Sequence, residues 1–274
     1  MVVQHNLQAT NANRMLGGNV KAVAKNTEKL SSGYKVNRAA DDAAGLSISE
    51  KMRNQIRGIN QAVSNAEDGQ YLIQTAEGNM NEIHSILQRM GELATKAAND
   101  VNATEDRTSI KDEMKQLRDE IDSIASKAAF NGTKLLDGTM SGGKYLQVGA
   151  NKGENMKIEI ASLKTTKLTL DGDTNIGVST HSKASATMSR ITAAIKTVSA
   201  ERSKLGAIQN RLDYTINNLE NYSENLTASE SNIRDTDMAK EMVNYSKNNI
   251  LQQAAQSMLA QANQSNQGVL SLLG

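Results

Sequence analysis

Apolar residues recur at alternating intervals of three and four positions along most of this chain, the spacing of helices that pack through narrow seams. One such series, near the start, runs through Leu16, Val20, Val23, Thr27 and Leu30. No proline interrupts any of the series, and a proline inside a helix would cost ~3 kcal/mol. The sequence therefore predicts a mainly α protein built from long antiparallel coiled-coil helices.

The composition favours narrow seams over one large aromatic core. The 274 residues include one Phe, six Tyr and no Trp or Cys, whereas large cores normally depend on aromatic area. The 31 basic and 30 acidic residues leave a net charge of +1, which argues against a nucleic-acid-binding surface. The absence of cysteine excludes disulfides and thiolate metal sites, and no run approaches the roughly 20 apolar residues of a membrane span.

Capping residues predict where the first helix ends and the second begins. Gly33 is expected to end the first helix as a left-handed cap. Asp41 and Asp42 can cap the start of the second helix and place negative charge at its positive end. The apolar line of this long second helix runs over residues 52–97, with a change of register expected near Gly69.

A β region is expected to separate two blocks of helices. A third helix is predicted over residues 110–128, and alternating apolar residues then predict a β-hairpin at about 134–160. The Thr-, Asp- and Gly-rich stretch 161–181 is expected to be a short surface loop. Helical spacing returns for the rest of the chain, along 205–233 and again along 251–272. The two ends therefore carry matching seams.

We expect two domains from this order of elements. Residues 1–40 with 234–274 form a terminal coiled-coil domain in which the N- and C-terminal helices pair. Residues 41–233 form a helical bundle domain that carries the hairpin and the loop.

No arrangement of residues in the sequence predicts catalysis or cofactor binding. His5, His84 and His181 lie far apart, and no His-Glu-x-x-His metal motif is present. No phosphate-binding loop, nucleophile elbow or paired-carboxylate signature appears, and helix capping accounts for the Asp41–Asp42 pair. We therefore predict no enzyme activity, no cofactor and no metal site.

Several motifs resemble those of bacterial flagellins. Residues 29–53, KLSSGYKVNRAADDAAGLSISEKMR, resemble the N-terminal signature of that family. Together the similar motifs cover both ends and most of the length. The others lie at 74–78, 88–94, 130–138, 205–212 and 224–235, and in the Gln- and Ala-rich tail to Gly274.

The resemblance implies a structural subunit that self-assembles into the flagellar filament for swimming motility, its paired ends forming the inner tube. It also implies export through the flagellar type III channel to the outside of the cell, and the start of the chain has no Sec signal pattern. Implied partners are further copies of the chain, an export chaperone, and cap and hook-junction proteins. With only about 20 residues in the loop after the hairpin, the large outer domains of many flagellins are expected to be missing. The alternative function is a hook–filament junction protein or another non-enzymatic coiled-coil adaptor.

The terminal stripes are expected to carry polymerisation. We expect both ends to be largely disordered in the monomer and to order when neighbouring subunits cover them. The alternative is an ordinary intramolecular coiled coil that is stable alone. The residues expected to polymerise are Leu7, Met15, Leu16, Val20, Val23 and Leu30, with Leu251, Ala255, Met258, Ala262, Val269 and Leu272.

A second set of residues matches the stretch that Toll-like receptor 5 reads in flagellins. Arg89, Glu92 and Leu93 lie beside the helix seam and are expected to be exposed in a monomer, where an Arg and a Leu are reasonable interface anchors. The alternative is that the set serves assembly alone. Its members are Gln88, Arg89, Glu92, Leu93 and Glu113.

Overall fold

Six helices and two short hairpins make up the part of the chain that the structure describes. This computed structural model describes the backbone of residues 6–273 and the side chains of residues 6–172 and 175–265. The predicted mainly α fold is confirmed. Its helices are α1 (Leu7–Ser32), α2 (Ala43–Ala97), α3 (Thr104–Lys127), α4 (Gly172–Asn175), α5 (His181–Arg234) and α6 (Met238–Leu273). The antiparallel strand pairs are β1 (Ala129–Phe130) with β2 (Thr133–Lys134), and β3 (Lys144–Gln147) with β4 (Asn155–Ile158).

The chain folds as two compact units. The terminal unit comprises Met1–Ile56 and Glu224–Gly274, and the core unit comprises Arg57–Ser223. Both boundaries lie inside helices, α2 and α5, whereas the sequence-based division at residues 40 and 233 lies near helix ends. That division stays a prediction.

The ends of the first helices follow the predicted capping chemistry with one exception. Gly33 ends α1 with a φ of 75°, a left-handed conformation that glycine adopts without steric cost. Asp42 Oδ1 accepts a hydrogen bond of 2.9 Å from the backbone N–H of Gly45, at the start of α2. Asp41, expected as a second cap, instead lies 2.8 Å from Lys25 Nζ of α1.

One continuous buried line runs along α2 in the core unit. From Ile59 to Ala97 the buried positions follow at intervals of three and four, with Leu93 as an additional one beside Ala94, and Gly69 occupies one of them. The expected change of register near Gly69 is therefore wrong. A Cβ at this position would lie 2.5 Å from Cδ2 of Leu146 on β3, so a side chain here would displace Leu146 from its contact with the helix.

The segment 161–181 is not the surface loop that its composition predicted. It has no strand among its described residues, but its apolar side chains are buried in the core of the core unit. Asp122 on α3 holds the segment by accepting hydrogen bonds from Thr165, at 2.9 Å from the backbone N–H and 2.6 Å from Oγ1. Because the apolar residues follow neither the helix nor the strand period, the pattern did not show their burial. They are Leu163, Leu168, Leu170, Ile176 and Val178.

Candidate self-association surface

The helices α1 and α6 pair antiparallel within the terminal unit, as predicted for the two ends of the chain. Near the start of α1, Asn6 Nδ2 donates a hydrogen bond of 3.0 Å to the carbonyl oxygen of Ala262. Near its end, Lys29 Nζ lies 3.9 Å from Glu241 Oε1. The pairing thus brings together residues more than 200 positions apart in sequence.

Backbone hydrogen bonds join the end of α1 to the segment between α5 and α6. The N–H of Lys35 donates to the carbonyl oxygen of Arg234 at 2.7 Å, and the N–H of Thr236 donates to that of Gly33 at 2.9 Å. The guanidinium carbon of Arg234 also lies 4.6 Å from the ring centroid of Tyr34, within the range of a cation–π interaction. We call these five residues the clasp, which holds the two ends of the chain in register.

Very little of the terminal unit is buried. Among its described side chains, Val36 is the only buried hydrophobic residue. Ten large apolar side chains of the unit are instead exposed, while the exposed large hydrophobics described in the core unit are four tyrosines and Val101. Such a concentration of uncovered apolar surface marks an interaction site. The ten are Leu7, Met15, Val20, Ile48, Met238, Met242, Val243, Ile250, Leu251 and Met258.

The residues predicted to polymerise divide into two groups by exposure. Half-buried members lie in the seam between the helices, and exposed members lie beside it. The half-buried ones are Leu16, Val23, Leu30, Ala255 and Ala262. The exposed ones are Leu7, Met15, Val20, Leu251 and Met258, with 42–72% of their surface accessible. The side chains of Val269 and Leu272 lie outside the described residues.

The seam of α6 shares Ala255 and Ala262 with the series predicted for it and differs from that series by one position at Leu251 and Met258. Its half-buried residues include Gln252, Ala255, Leu259 and Ala262. Leu251 and Met258 each precede one of these and lie on the exposed side. The intrachain seam therefore leaves Leu251 and Met258, the largest residues of the predicted series whose side chains are described, available to another molecule.

A groove of about 630 Å³ lies between α1 and α6. Met15 of α1 and Met258 of α6 both line it, and its surface is mostly apolar. The remaining lining residues are small or uncharged: Gln8, Asn11, Ala12, Ala255, Gln261, Ala262 and Ser265. This groove joins predicted residues from the two ends of the chain in one surface.

Sequence reasoning missed five exposed apolar residues of the terminal unit. Val243 and Ile250 lie seven positions apart on α6 and therefore share one helical face, with 69% and 66% of their surface exposed. The signal that could have identified them is an apolar residue outside the 3-4 series. The other three are Ile48, Met238 and Met242.

The predicted receptor-binding residues lie on α2 and α3 of the core unit, and the structure brings three of them together. The guanidinium of Arg89 donates to Glu113 Oε1 at 2.9 and 3.1 Å and to Glu92 Oε2 at 3.2 Å. These hydrogen bonds, the one to Glu113 first, raise the pKa of Arg89 above its ordinary value. Gln88 is exposed beside them and lies 3.1 Å from His84 Nε2.

Leu93 is the exception, because it is buried with 4% of its surface accessible. It follows Met90 by three positions and precedes Ala97 by four, and both of these are fully buried. Residues at these spacings share a helical face, so Leu93 belongs to the core and the expectation of its exposure was wrong.

No metal centre is found within the described part of the chain, where no three His, Cys, Asp or Glu side chains come together. None of its helices is long and apolar enough to cross a membrane.

Comparisons with known proteins agree with this architecture. The family described as bacterial flagellin N-terminal helical region matches residues 3–141, and bacterial flagellin C-terminal helical region matches residues 188–273. A flagellin of Halalkalibacterium halodurans is 51% identical over 278 residues, with the whole of both chains covered.

Solved structures are similar as well. The crystal structure of Bacillus cereus flagellin is 33% identical and covers 57% of this chain and 88% of that one, with a TM-score of 0.51. A protein from Vibrio parahaemolyticus, described as hook-associated, shares the fold alone at 17% identity and a TM-score of 0.61, covering 71% of this chain and 100% of that one.

The two matched regions are separated only by residues 142–187, which contain β3, β4 and α4. The large outer domain of longer flagellins is therefore missing, as predicted. This chain belongs to the bacterial flagellin family, in a short form, and is a structural subunit of the flagellar filament rather than an enzyme.

Proposed function

We propose that the apolar stripes of α1 and α6, extended by Val243 and Ile250 on α6, form the surface through which subunits polymerise. Flagellins form the extracellular flagellar filament, so each subunit needs a surface that its neighbours cover. The observation that supports this assignment is the contrast, among the described side chains of the terminal unit, between one buried hydrophobic residue and ten large exposed ones. The proposed set includes the twelve predicted residues together with Val243 and Ile250.

The sparse burial also supports the proposal that both ends order on assembly. Fixing the backbone of a residue costs about 1–2 kcal/mol, while fully burying a large apolar side chain returns about 1.5–3 kcal/mol. Half-buried seam residues such as Leu16 and Leu259 return only part of that. The paired conformation of α1 and α6 is therefore the one that neighbouring subunits stabilise.

Hydrogen exchange on monomers and filaments tests this ordering. In the monomer we expect rapid amide exchange over residues 1–35 and 240–274 and slow exchange along the buried line of α2. In the filament all three regions should exchange slowly. Strong protection of the two ends in the monomer would show that they form a stable coiled coil without neighbours.

Truncation tests the polymerisation surface directly. Chains that lack residues 1–35 and 240–274 should no longer form filaments visible by electron microscopy, whereas the intact chain should form long uniform ones. The alternative, a hook–filament junction protein or another coiled-coil adaptor, requires that the intact chain forms none. Filaments from the truncated chain would contradict the proposed surface.

The same apolar surface supports proposals for the implied partners. Before assembly, a flagellar export chaperone would cover the face of α6 that carries Val243 and Ile250, and the chain would leave the cell unfolded through the type III channel. Cap and hook-junction proteins would contact the ends of the filament through the surface that other subunits use. A Val243→Ser, Ile250→Ser variant should lose binding to the purified chaperone, and undiminished binding would contradict this assignment.

We also propose that Gln88, Arg89, Glu92 and Glu113 are read by Toll-like receptor 5. All four are exposed, and the Arg89 hydrogen bonds hold the side chains of α2 and α3 in one arrangement. Leu93 contributes to the core beneath them rather than to direct contact.

A pair of variants tests this receptor surface without disturbing the core. Arg89→Ala with Glu113→Ala should lower receptor activation by monomers. The matched control is Glu120→Ala, which removes an exposed carboxylate seven positions along α3. Equal activation by both variants would contradict the proposal.

A further inference from the structure

The methionines of this chain are distributed unequally between the two units. Five of them in the core unit are at most 7% exposed: Met80, Met90, Met114, Met140 and Met156. Four in the terminal unit are 47–60% exposed: Met15, Met238, Met242 and Met258. The chain has no cysteine, so among the described side chains these four thioethers are the sulfur atoms most accessible to an oxidant.

Two of the exposed methionines share one surface. Met15 on α1 and Met258 on α6 line the groove of about 630 Å³, and they are its largest apolar residues. Their exposed fractions are 59% and 60%. The described lining contains no charged side chain, so apolar contact is the main attraction that this groove offers.

We propose that Met15 and Met258 form a reversible oxidation site that controls subunit addition. The proposal rests on the polymerisation surface described above, in which a second copy of the chain covers this groove. Oxidation of the free subunit prevents that contact, and assembly in turn protects both sulfur atoms.

The chemistry requires a peroxide such as hydrogen peroxide. The lone pair of the Met sulfur attacks one peroxide oxygen, the O–O bond breaks, and the other oxygen leaves as water after proton transfer. The sulfur is oxidised by two electrons and the peroxide is reduced. The product, methionine sulfoxide, is polar. Methionine sulfoxide reductases return it to the thioether, with a dithiol that is oxidised to a disulfide as the two-electron reductant and with the oxygen released as water.

The sulfoxides oppose assembly for two reasons. They remove apolar area that a neighbour would cover, and they add two strong hydrogen-bond acceptors that lose their contact with water when a neighbour covers the groove. A covered acceptor without a partner is costly enough to change an equilibrium constant by roughly tenfold. We therefore expect oxidation of both residues to raise the critical concentration for polymerisation at least tenfold.

Peroxide treatment of matched variants tests the site. One variant carries Met15→Leu and Met258→Leu. The control carries Met238→Leu and Met242→Leu, which remove two methionines that are 47% and 51% exposed and lie outside the groove. Sites of oxidation are read by peptide mass spectrometry, with the buried methionines of the core unit as an internal reference. Critical concentrations are measured by sedimentation before and after treatment.

After treatment, the critical concentration should rise at least tenfold for wild type and for the control. That of the Met15→Leu, Met258→Leu variant should not change. Sulfoxide reductase should restore the wild type. Equal loss in both variants, or normal assembly of wild type that is oxidised at both sites, would overturn the proposal.

Oxidation of intact filaments separates this proposal from the one on which it rests. Protection of Met15 and Met258 in the filament is expected from a covered groove. If both oxidise as fast as in the monomer, the groove is not part of the polymer interface and the polymerisation surface is wrong at this place. Protection without any effect of prior oxidation on assembly would leave the surface intact and refute the oxidation site alone.

Discussion

Replacing the same residue type in the two units should separate folding from polymerisation. Ile250 on α6 is 66% exposed, whereas Ile121 on α3 is fully buried. Truncation to alanine removes the same three carbon atoms at both places, worth about 0.8 kcal/mol each when they are buried. The structure predicts opposite consequences for the two variants.

For Ile250→Ala the loss appears only when a neighbour covers the side chain. Scaling the loss of three buried carbons by the exposed fraction of Ile250 gives about 1.5 kcal/mol per subunit. This corresponds to a roughly tenfold higher critical concentration. The monomer should not be destabilised, because alanine has a higher helix propensity than isoleucine.

For Ile121→Ala the loss appears in the monomer. Removing a fully buried Ile side chain costs ~2–5 kcal/mol including the cavity, which lowers the Tm by roughly 4–20 °C in a unit of this size. Sedimentation of filaments and thermal unfolding followed by circular dichroism measure the two effects. The reasoning is refuted if Ile250→Ala leaves the critical concentration within twofold of wild type, or lowers the Tm as much as Ile121→Ala does.

Three further changes test local features. Gly17→Ala should slow amide exchange along α1 roughly two- to fivefold, because a helix-interior glycine costs about 0.5–1 kcal/mol and an added Cβ meets nothing within 4 Å; faster exchange would contradict this. Gly69→Val should lower the free energy of unfolding by ~1–3 kcal/mol through overpacking against the hairpin, whereas Gly78→Val, where nothing lies within 4 Å, should not. The pKa of Asp41 is lowered by its hydrogen bond to Lys25 and then by backbone N–H groups, so its stabilising contribution is present above the ordinary carboxyl pKa and is lost as the pH falls through the lowered one. Lys25→Ala should raise this pKa in an NMR titration, and an unchanged value would contradict the pairing.

The positions of the helices and of the hairpin along the chain could be predicted because each depends on the spacing of residues close together in sequence. The 3-4 spacing along residues 73–97 matches buried positions of α2, and the spacing of Asn151 to Asn155 between alternating apolar residues matches the hairpin of β3 and β4. Gly33 showed the end of α1 because only glycine readily adopts a positive φ there. These features depend on a few neighbouring residues.

The sequence could not show which apolar residues are buried within the chain and which are left exposed, because burial depends on the surfaces that meet in three dimensions. A seam series identifies apolar positions but does not say whether the same chain or another copy covers each one. The predicted polymerisation series on α6 therefore did not separate the exposed Leu251 and Met258 from Ala255 and Ala262, which lie in the intrachain seam. Leu93 was misplaced because the buried face of α2 is wider at its end than one seam predicts. Irregularly spaced residues such as Leu163 and Leu170 carry no periodic signal at all, although they are buried.

The clasp determines when a growing chain can complete its terminal unit. Gly33 and Thr236 are bonded across about 200 intervening residues, and α1 pairs with residues near the far end of the chain. In a chain that is synthesised from its N-terminus, α1 therefore has no α6 to pair with until the C-terminal residues have been made. Under the proposed polymerisation surface, a chain without its C-terminal residues would lack half of that surface, and we expect such a chain not to be added to a filament.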